Sequence, residues 1–202
     1  MRVTPAEPTL ASTARRAQIV AATIEVIAAD GFGQATFARI AEHAGLSSTR
    51  LISYHFAGKD ELIKAVVQDV LASIAAYVGA AIDAAEDEAG AGNATAILRA
   101  YIEGNVGFID EHRAQMQALL QIVLGSAGLP GQQKPTEIPL EALLRHGQST
   151  GEFRAFDVPS VAGAIQRAIE GLPFMLAAQP DLDCDRYGAE LVELYLRGVR
   201  AA

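Results

Sequence analysis

A chain of 202 residues, half of them hydrophobic, holds ample apolar material for one large domain or for a small and a larger one. The lone Cys184 excludes an internal disulfide, four histidines (His43, His55, His112, His146) at no metal-ligand spacing argue against zinc, and no apolar run approaches the roughly 18–20 residues that span a bilayer. The net charge of −8 speaks against a nucleic-acid partner until it is divided along the chain. Residues 1–59 carry six Lys/Arg and four Asp/Glu, so an acidic body bears a mildly basic head, the asymmetry expected when only the head meets phosphate.

Met1 to Arg16 is short, polar and proline-bearing, with no continuous apolar stretch of the secretory type. It reads as a flexible tail over residues 1–12 of a cytoplasmic protein. A first helix is expected after Ser12 or Thr13, either of which suits a cap, with Ile19, Val20, Ile24 and Ile27 inward and a stop at Asp30-Gly31. A short second helix follows Thr36, with Phe37, Ile40 and Ala41 as its inner face. Ala44-Gly45-Leu46 breaks it. A third short helix begins at Ser47 or Ser48 and ends near His55-Phe56.

Lys59-Asp60-Glu61 starts a long helix, its acids placed where the helix dipole favours them. Leu62, Ile63, Val66, Val67, Val70, Leu71, Ile74 and Val78 form its apolar stripe, and Gly90-Ala91-Gly92 ends it. Further helices are expected over 94–111, 113–125, 139–150, 159–177 and 184–200. Ser126 to Pro139, rich in Gly, Pro and Gln, reads as a long surface loop. Residues 151–157 read as a turn, with Pro159 suited to the start of the next helix. Pro173 should kink that helix or end it early, because it lacks a backbone donor. The fold class is therefore all-α.

Two short helices joined by a glycine turn, after a longer helix, outline a helix-turn-helix over residues 13–59. One helix must enter the major groove while its partner braces it. In the third helix Leu51 and Ile52 point inward and Phe56 closes the core, which leaves Thr49, Arg50, Ser53 and Tyr54 on the opposite face. Arg50 offers a bidentate fork to guanine, and Ser47, Ser48, Thr49 and Ser53 supply short polar groups for bases or phosphates. Tyr54, His55 and Lys59 are candidate phosphate donors. Thr36 is a helix cap and a candidate phosphate ligand; Arg39 is a candidate phosphate contact or simply a surface residue. Arg15 and Arg16 either reach the DNA backbone from the first helix or stand in solvent.

The run Gly31-Phe32, Thr36-Phe37-Ala38-Arg39-Ile40-Ala41-Glu42-His43-Ala44-Gly45-Leu46-Ser47, followed by Tyr54-His55-Phe56-Ala57-Gly58-Lys59-Asp60-Glu61-Leu62, resembles the DNA-binding signature of the TetR family of transcription regulators. The resemblance covers residues 13–62 closely. Gly45 to Phe56 spans one residue more than the family's usual spacing, which leaves open which of residues 47–50 faces the groove. It implies a homodimer on double-stranded operator DNA, with recognition helices about 34–36 Å apart. It also implies a helical regulatory and dimerisation domain over 60–202, whose last two long helices pair with their symmetry mates. The family habit is a repressor that a small-molecule effector releases by linkage.

In the body, Tyr77, Tyr101, Phe108, Met116, Gln117, Gln121 and Phe174 are candidate lining for a mostly apolar effector cavity, with Met175 beside them; ordinary core packing is the better explanation for any one of them taken singly. Ala162, Gly163, Ala164, Ala168 and Gly171 permit close helix approach. Arg167 and Glu170 stand three apart and suit a local pair. No nucleophile–base pairing, metal spacing or phosphate-cradling glycine loop argues for catalysis, and neither an enzyme nor a cofactor is expected. An all-helical enzyme with a structural cap and a helix-turn-helix-shaped adaptor without specific DNA binding are the other readings.

Overall fold

A computed structural model describes residues 10–125 and 139–201. Its helices, in chain order, are α1 (Leu10–Asp30), α2 (Phe37–His43), α3 (Arg50–His55), α4 (Lys59–Ala89), α5 (Ala94–Glu111), α6 (Arg113–Gly125), α7 (Pro139–Thr150), α8 (Val158–Ala178) and α9 (Cys184–Val199). A single 3-10 turn, Phe32–Gln34, lies between α1 and α2. Among the described residues the sole extended pairing is an isolated antiparallel bridge between Phe153 and Arg200. The all-α expectation holds.

The helix ends follow from their capping residues. Thr36 accepts from the Arg39 amide at the start of α2, Asn93 from Ala96 at α5, Asp157 from Ser160 at α8, and Asp183 from Arg186 at α9. The expected spans 94–111, 113–125 and 139–150 coincide with α5, α6 and α7. Two starts differ. α1 already runs at Leu10, so Ser12 and Thr13 are inside it and do not cap it. α3 begins at Arg50, with Ser47 and Ser48 in the preceding turn.

α8 continues past Pro173 to Ala178, one residue beyond the expected 177, so of the two effects expected of Pro173 an early end does not occur. Pro173 is buried, and it both removes the amide that would have bonded the carbonyl one turn back and crowds that carbonyl with its ring, without ending the helix. The long loop expected over Ser126 to Pro139 lies, but for Pro139, outside the described residues.

The chain divides into two compact units. The first takes the described residues of Met1–Val70 and Ala114–Gln132; the second takes those of Leu71–Arg113 and Gln133–Ala202. In the first, Ile19, Ile27, Ile40, Ile52, Phe56 and Leu62 are at most 1% exposed. Each such side chain contributes about 1.5–3 kcal/mol of transfer free energy. On α1 the buried positions are 19, 20, 22, 23, 24, 26 and 27, and the set 19, 20, 23, 24 and 27 among them recurs at helical spacing, the face the helix hides.

In the second unit Leu98, Ile102, Phe108, Leu144, Ile165, Leu172 and Leu196 form the core. Two tyrosines fasten α9 to α8: the Tyr187 hydroxyl donates to the Ala168 carbonyl at 2.8 Å, and the Tyr195 hydroxyl to Ala164 at 3.0 Å. Glu152, in the turn after α7, reaches the open N-terminus of α5, where its two oxygens accept from the Ala94 and Thr95 amides at 2.9 and 3.0 Å. That completes the cap Asn93 begins.

α4 corrects one expectation. It is long and apolar enough, by length and composition, to cross a membrane, with a mean hydropathy of 1.7 over its 18-residue window. Alanines and valines accumulate that value without forming an uninterrupted apolar run, because Gln68, Asp69 and Ser73 fall inside it. Its N-terminal half behaves as a core helix: Leu62, Ile63, Val66, Val67 and Val70 are at most 2% exposed within the first unit.

Candidate nucleic-acid interface

The turn between α2 and α3 determines what α3 can present. Gly45 has φ +64°, a left-handed conformation that costs glycine nothing, and the Leu46 amide folds back to the Ala41 carbonyl at 2.8 Å. The backbone then stays irregular through Ser48. The Ser48 hydroxyl accepts from the Arg50 amide at 3.1 Å, and the Thr49 carbonyl accepts from Ile52 and Ser53 at 3.0 and 3.1 Å. The residue that lengthens this segment is thus absorbed in the turn, and α3 keeps only six residues. Its inward positions are Ile52 and the capping Phe56, both fully buried, with Leu51 half-buried.

Thr49, Arg50, Ser53 and Tyr54 are exposed, as their spacing predicts; Tyr54 is 82% exposed. Ser47 and Ser48 are exposed on the turn that leads into them. The Arg50 guanidinium has no intramolecular partner among the described residues. His55 is half-buried, its ring set edge-on to Tyr54 with centroids 5.1 Å apart. Residues 47–50, 53 and 54 therefore share one accessible surface.

The other candidate cations are engaged elsewhere. Arg39 pairs with Asp30 at 3.4 Å, both groups half in solvent. The Lys59 ammonium donates to the Phe32 carbonyl at 3.2 Å and lies 4.7 Å from the centre of the Phe32 ring, which leaves two of its three donors open. Thr36, exposed, spends its hydroxyl oxygen on the α2 cap. Arg15 bonds its neighbour Gln18 at 2.6 Å.

Arg16 is the residue sequence reasoning placed least well. Its guanidinium stacks on the Phe56 ring, 4.0 Å from the centroid, donates to the His55 carbonyl at 2.5 Å and pairs with Glu61 at 3.3 Å. The other Glu61 oxygen accepts from the Ala57 amide at 2.7 Å. That amide, and then Arg16, hold the Glu61 carboxyl below the usual glutamate range. No local signal announces these contacts, because the partners are 39 and 45 residues apart in sequence. Elsewhere in the first unit the Gln18 amide donates to the Ala44 carbonyl at 2.8 Å, and His43 meets Glu25 at 2.5 Å.

The candidate effector residues do not form one cluster within either unit. Met116, Gln117 and Gln121 lie on α6 in the first unit, and Tyr77, Tyr101, Phe108 and Phe174 lie in the second. Phe108 is core, 1% exposed, with Tyr77 edge-on at 5.7 Å and the His112 ring tilted against it at 4.4 Å. The Tyr77 hydroxyl donates to Glu111 at 2.7 Å, and that of Tyr101 to Gln166 at 2.8 Å. Burial, reinforced by the Glu170 carboxylate, pushes the Tyr101 phenol up. Phe174 is 52% exposed on α8, beside the exposed Met175. Arg167 pairs with Glu170 as its spacing suggests. A groove of about 500 Å³ does open between α4 and α5, but alanines, Glu88, Arg99 and Glu103 line it and none of the seven candidates does.

The model of the family of bacterial regulatory proteins of the tetR type matches residues 19–66, the stretch from α1 into α4. The HTH-type transcriptional regulator BetI 2 of Chromohalobacter salexigens is 40% identical over 91 residues, which are 45% of this chain and 42% of that protein. The BetI of Escherichia coli O139:H28 is 31% identical over 140 residues, 69% of this chain and 68% of that one. The chain thus spans less than half of the first relative's length and about two thirds of the second's. The structure of the ketosteroid transcriptional regulator KstR2 of Mycobacterium tuberculosis superposes with a TM-score of 0.70, covering 93% of this chain and 96% of that one at 20% identity, a likeness of fold. With the α2–turn–α3 geometry, the sequence match from α1 into α4 and a helical fold shared along nearly its whole length, the chain belongs to the TetR family.

Proposed function

We propose that the chain is a dimeric, DNA-binding transcription regulator of the cytoplasm. In it α3 enters the major groove of double-stranded operator DNA and the body over 60–202 senses a small-molecule effector. The observation that carries this reading is the surface of α3: Arg50, whose guanidinium meets no partner among the described residues, flanked by exposed Thr49, Ser53 and Tyr54, on a helix whose opposite side is sealed by Ile52 and Phe56. Arg50, at the first turn of α3, is placed to read a base edge. Ser47, Ser48, Thr49, Ser53, Tyr54, His55, Thr36 and the open donors of Lys59 are assigned to bases nearby or to phosphates.

Dimerisation is assigned to α8 and α9. They expose Phe174, Met175 and Leu194, at 52, 41 and 64%, apolar area that a symmetry mate would cover. Phe174 accordingly leaves the effector set for the dimer face. Tyr77, Tyr101 and Phe108 remain candidates within the second unit and Met116, Gln117 and Gln121 within the first, and the effector would release a repressor by favouring the state whose heads are wrongly spaced.

A mobility-shift titration on the DNA upstream of its own coding sequence tests this reading. Specific binding that weakens steeply between about 50 and 200 mM salt supports it, because each phosphate contact releases counterions. The second reading, an adaptor without specific DNA affinity, draws on the engagement of Arg16, Arg39 and Lys59 within the protein. Absence of specific binding at low salt across genomic fragments would establish it.

A further inference from the structure

The end of α3 is held by a device that local sequence does not announce. Three successive residues leave the helix there: His55 with an open carbonyl, Phe56 with its buried ring, and Ala57 with an open amide. Each meets one member of the Arg16–Glu61 pair, as the guanidinium covers the Phe56 ring and takes the His55 carbonyl while the carboxylate takes the Ala57 amide. Arg16 comes from α1 and Glu61 from the first turn of α4, so helices on either side of α3 grip its C-terminal end.

An ion pair whose groups are 41 and 45% exposed contributes little by charge alone. Its geometry matters more. One planar fork performs three tasks that fix both the rotation of α3 about its axis and its position along that axis, and an ammonium cannot reproduce them. With only six residues, α3 has few backbone bonds of its own to hold that register.

We infer that Arg16 and Glu61 are positioning residues for the recognition helix, which set its register on DNA without touching the DNA. The inference rests on the DNA-binding reading above and assigns to these two residues the orientation of Arg50, Ser53 and Tyr54. Base readout tolerates little misplacement, so loosening the clamp lowers affinity for the correct sequence and leaves backbone-driven binding to any sequence in place.

The experiment uses the full-length chain, a genomic fragment selected by the wild-type protein, and a scrambled duplex of the same length and composition. Arg16→Lys keeps the charge and loses the fork. Glu61→Gln keeps an acceptor for Ala57 and removes the charge that holds Arg16. Both are expected to lose roughly tenfold in specific affinity, about the effect of one lost base contact, with affinity for the scrambled duplex and the salt slope unchanged. The Glu61 variant is the sharper probe, because charge alone predicts the opposite sign: removing a carboxylate near DNA should tighten both complexes.

Tighter or unaltered specific binding by Glu61→Gln overturns the inference. So does an Arg16→Ala variant that loses affinity equally for both duplexes with a salt slope about 0.9 lower, since that is the signature of a direct phosphate contact. A lower melting temperature with an unchanged specificity ratio assigns the pair to stability alone and overturns it as well. Should the Arg16 variants not fold, Glu61→Gln carries the test by itself. A wild-type protein that prefers no fragment refutes the DNA-binding reading together with the inference, whereas intact wild-type specificity with indifferent variants refutes only the inference.

Discussion

Replacing Gly147 with alanine should destabilise the protein, although the same change in most helices does the reverse. Gly147 lies on the buried side of α7, and a Cβ there would stand 2.2 Å from Phe153 Cδ2, 2.5 Å from Cε2 and 2.8 Å from Cγ. The ring has little room to retreat. Phe153 is 3% exposed, its amide donates to the Gly147 carbonyl at 2.9 Å, and its backbone bridges to Arg200 at the end of α9. Alanine is worth about 1 kcal/mol over glycine in a helix interior. Overpacking a dense core costs about 1–3 kcal/mol, and three ring atoms inside van der Waals contact place this site at or beyond the upper end. A net loss of about 2 kcal/mol follows, which for a chain of this size is about 4–8 °C in melting temperature. Gly79→Ala on α4, where nothing lies within 4 Å, is the matched control and should melt at or slightly above the wild type. A thermal melt decides it. If Gly147→Ala melts as high as the control, the tight approach of Phe153 to α7 is not what makes glycine necessary there.

Arg50→Ala should leave stability untouched, since the side chain meets no partner among the described residues, and should flatten discrimination at one base pair per half-site by about 1–3 kcal/mol; binding to a set of singly substituted operators reads this, and an unchanged preference profile removes Arg50 from base readout. Glu152 provides a pH signature. Burial would raise its pKa, but the bonds from the Ala94 and Thr95 amides and from the Thr95 and Thr150 side chains together leave the carboxyl below its ordinary value. Its contribution to stability is therefore fully present above the ordinary glutamate range and lost as pH falls through the folded-state value. Glu152→Gln should melt below the wild type at pH 7, with the gap closing towards pH 3, and a gap that widens on acidification contradicts the assignment. Leu194→Glu on the exposed side of α9 should convert a dimer to monomers in light scattering and weaken operator binding by removing the second head; a variant that stays dimeric moves the interface away from α9.

Much of the architecture is legible in the sequence because its helices begin at residues with one clear role. Thr36, Asn93, Asp157 and Asp183 each accept from the amide three residues on, and the spans that begin after them agree with the structure closely. The start of α3 is not legible for a related reason. Ser47, Ser48 and Thr49 are three successive cap candidates, and only the fold-back of Leu46 onto Ala41 selects among them. The exposed side of α3 follows from spacing, since Ile52 and Phe56 four apart must be buried. The fates of Arg16, Arg39 and Lys59 do not. Whether a cation meets solvent, a carboxylate or a ring depends on partners brought together by the packing of helices, and residue type alone does not distinguish these. The seven effector candidates show the same limit, because aromatic spacing does not separate a cavity wall from a core such as Phe108.

The shortness of α3 has a consequence for how much a protein of this kind can know about a DNA sequence. Six residues rising about 1.5 Å each make a probe of about 9 Å, and base pairs in a duplex recur every 3.4 Å or so. On the reading proposed here, one head inspects about three base pairs, a vocabulary of roughly 64 words, which any genome repeats many thousands of times. A second head multiplies that vocabulary, but only when the distance between the two is held constant, so the spacing is itself part of the message. An effector need not dislodge a single base contact to silence such a reader; it need only change the ruler.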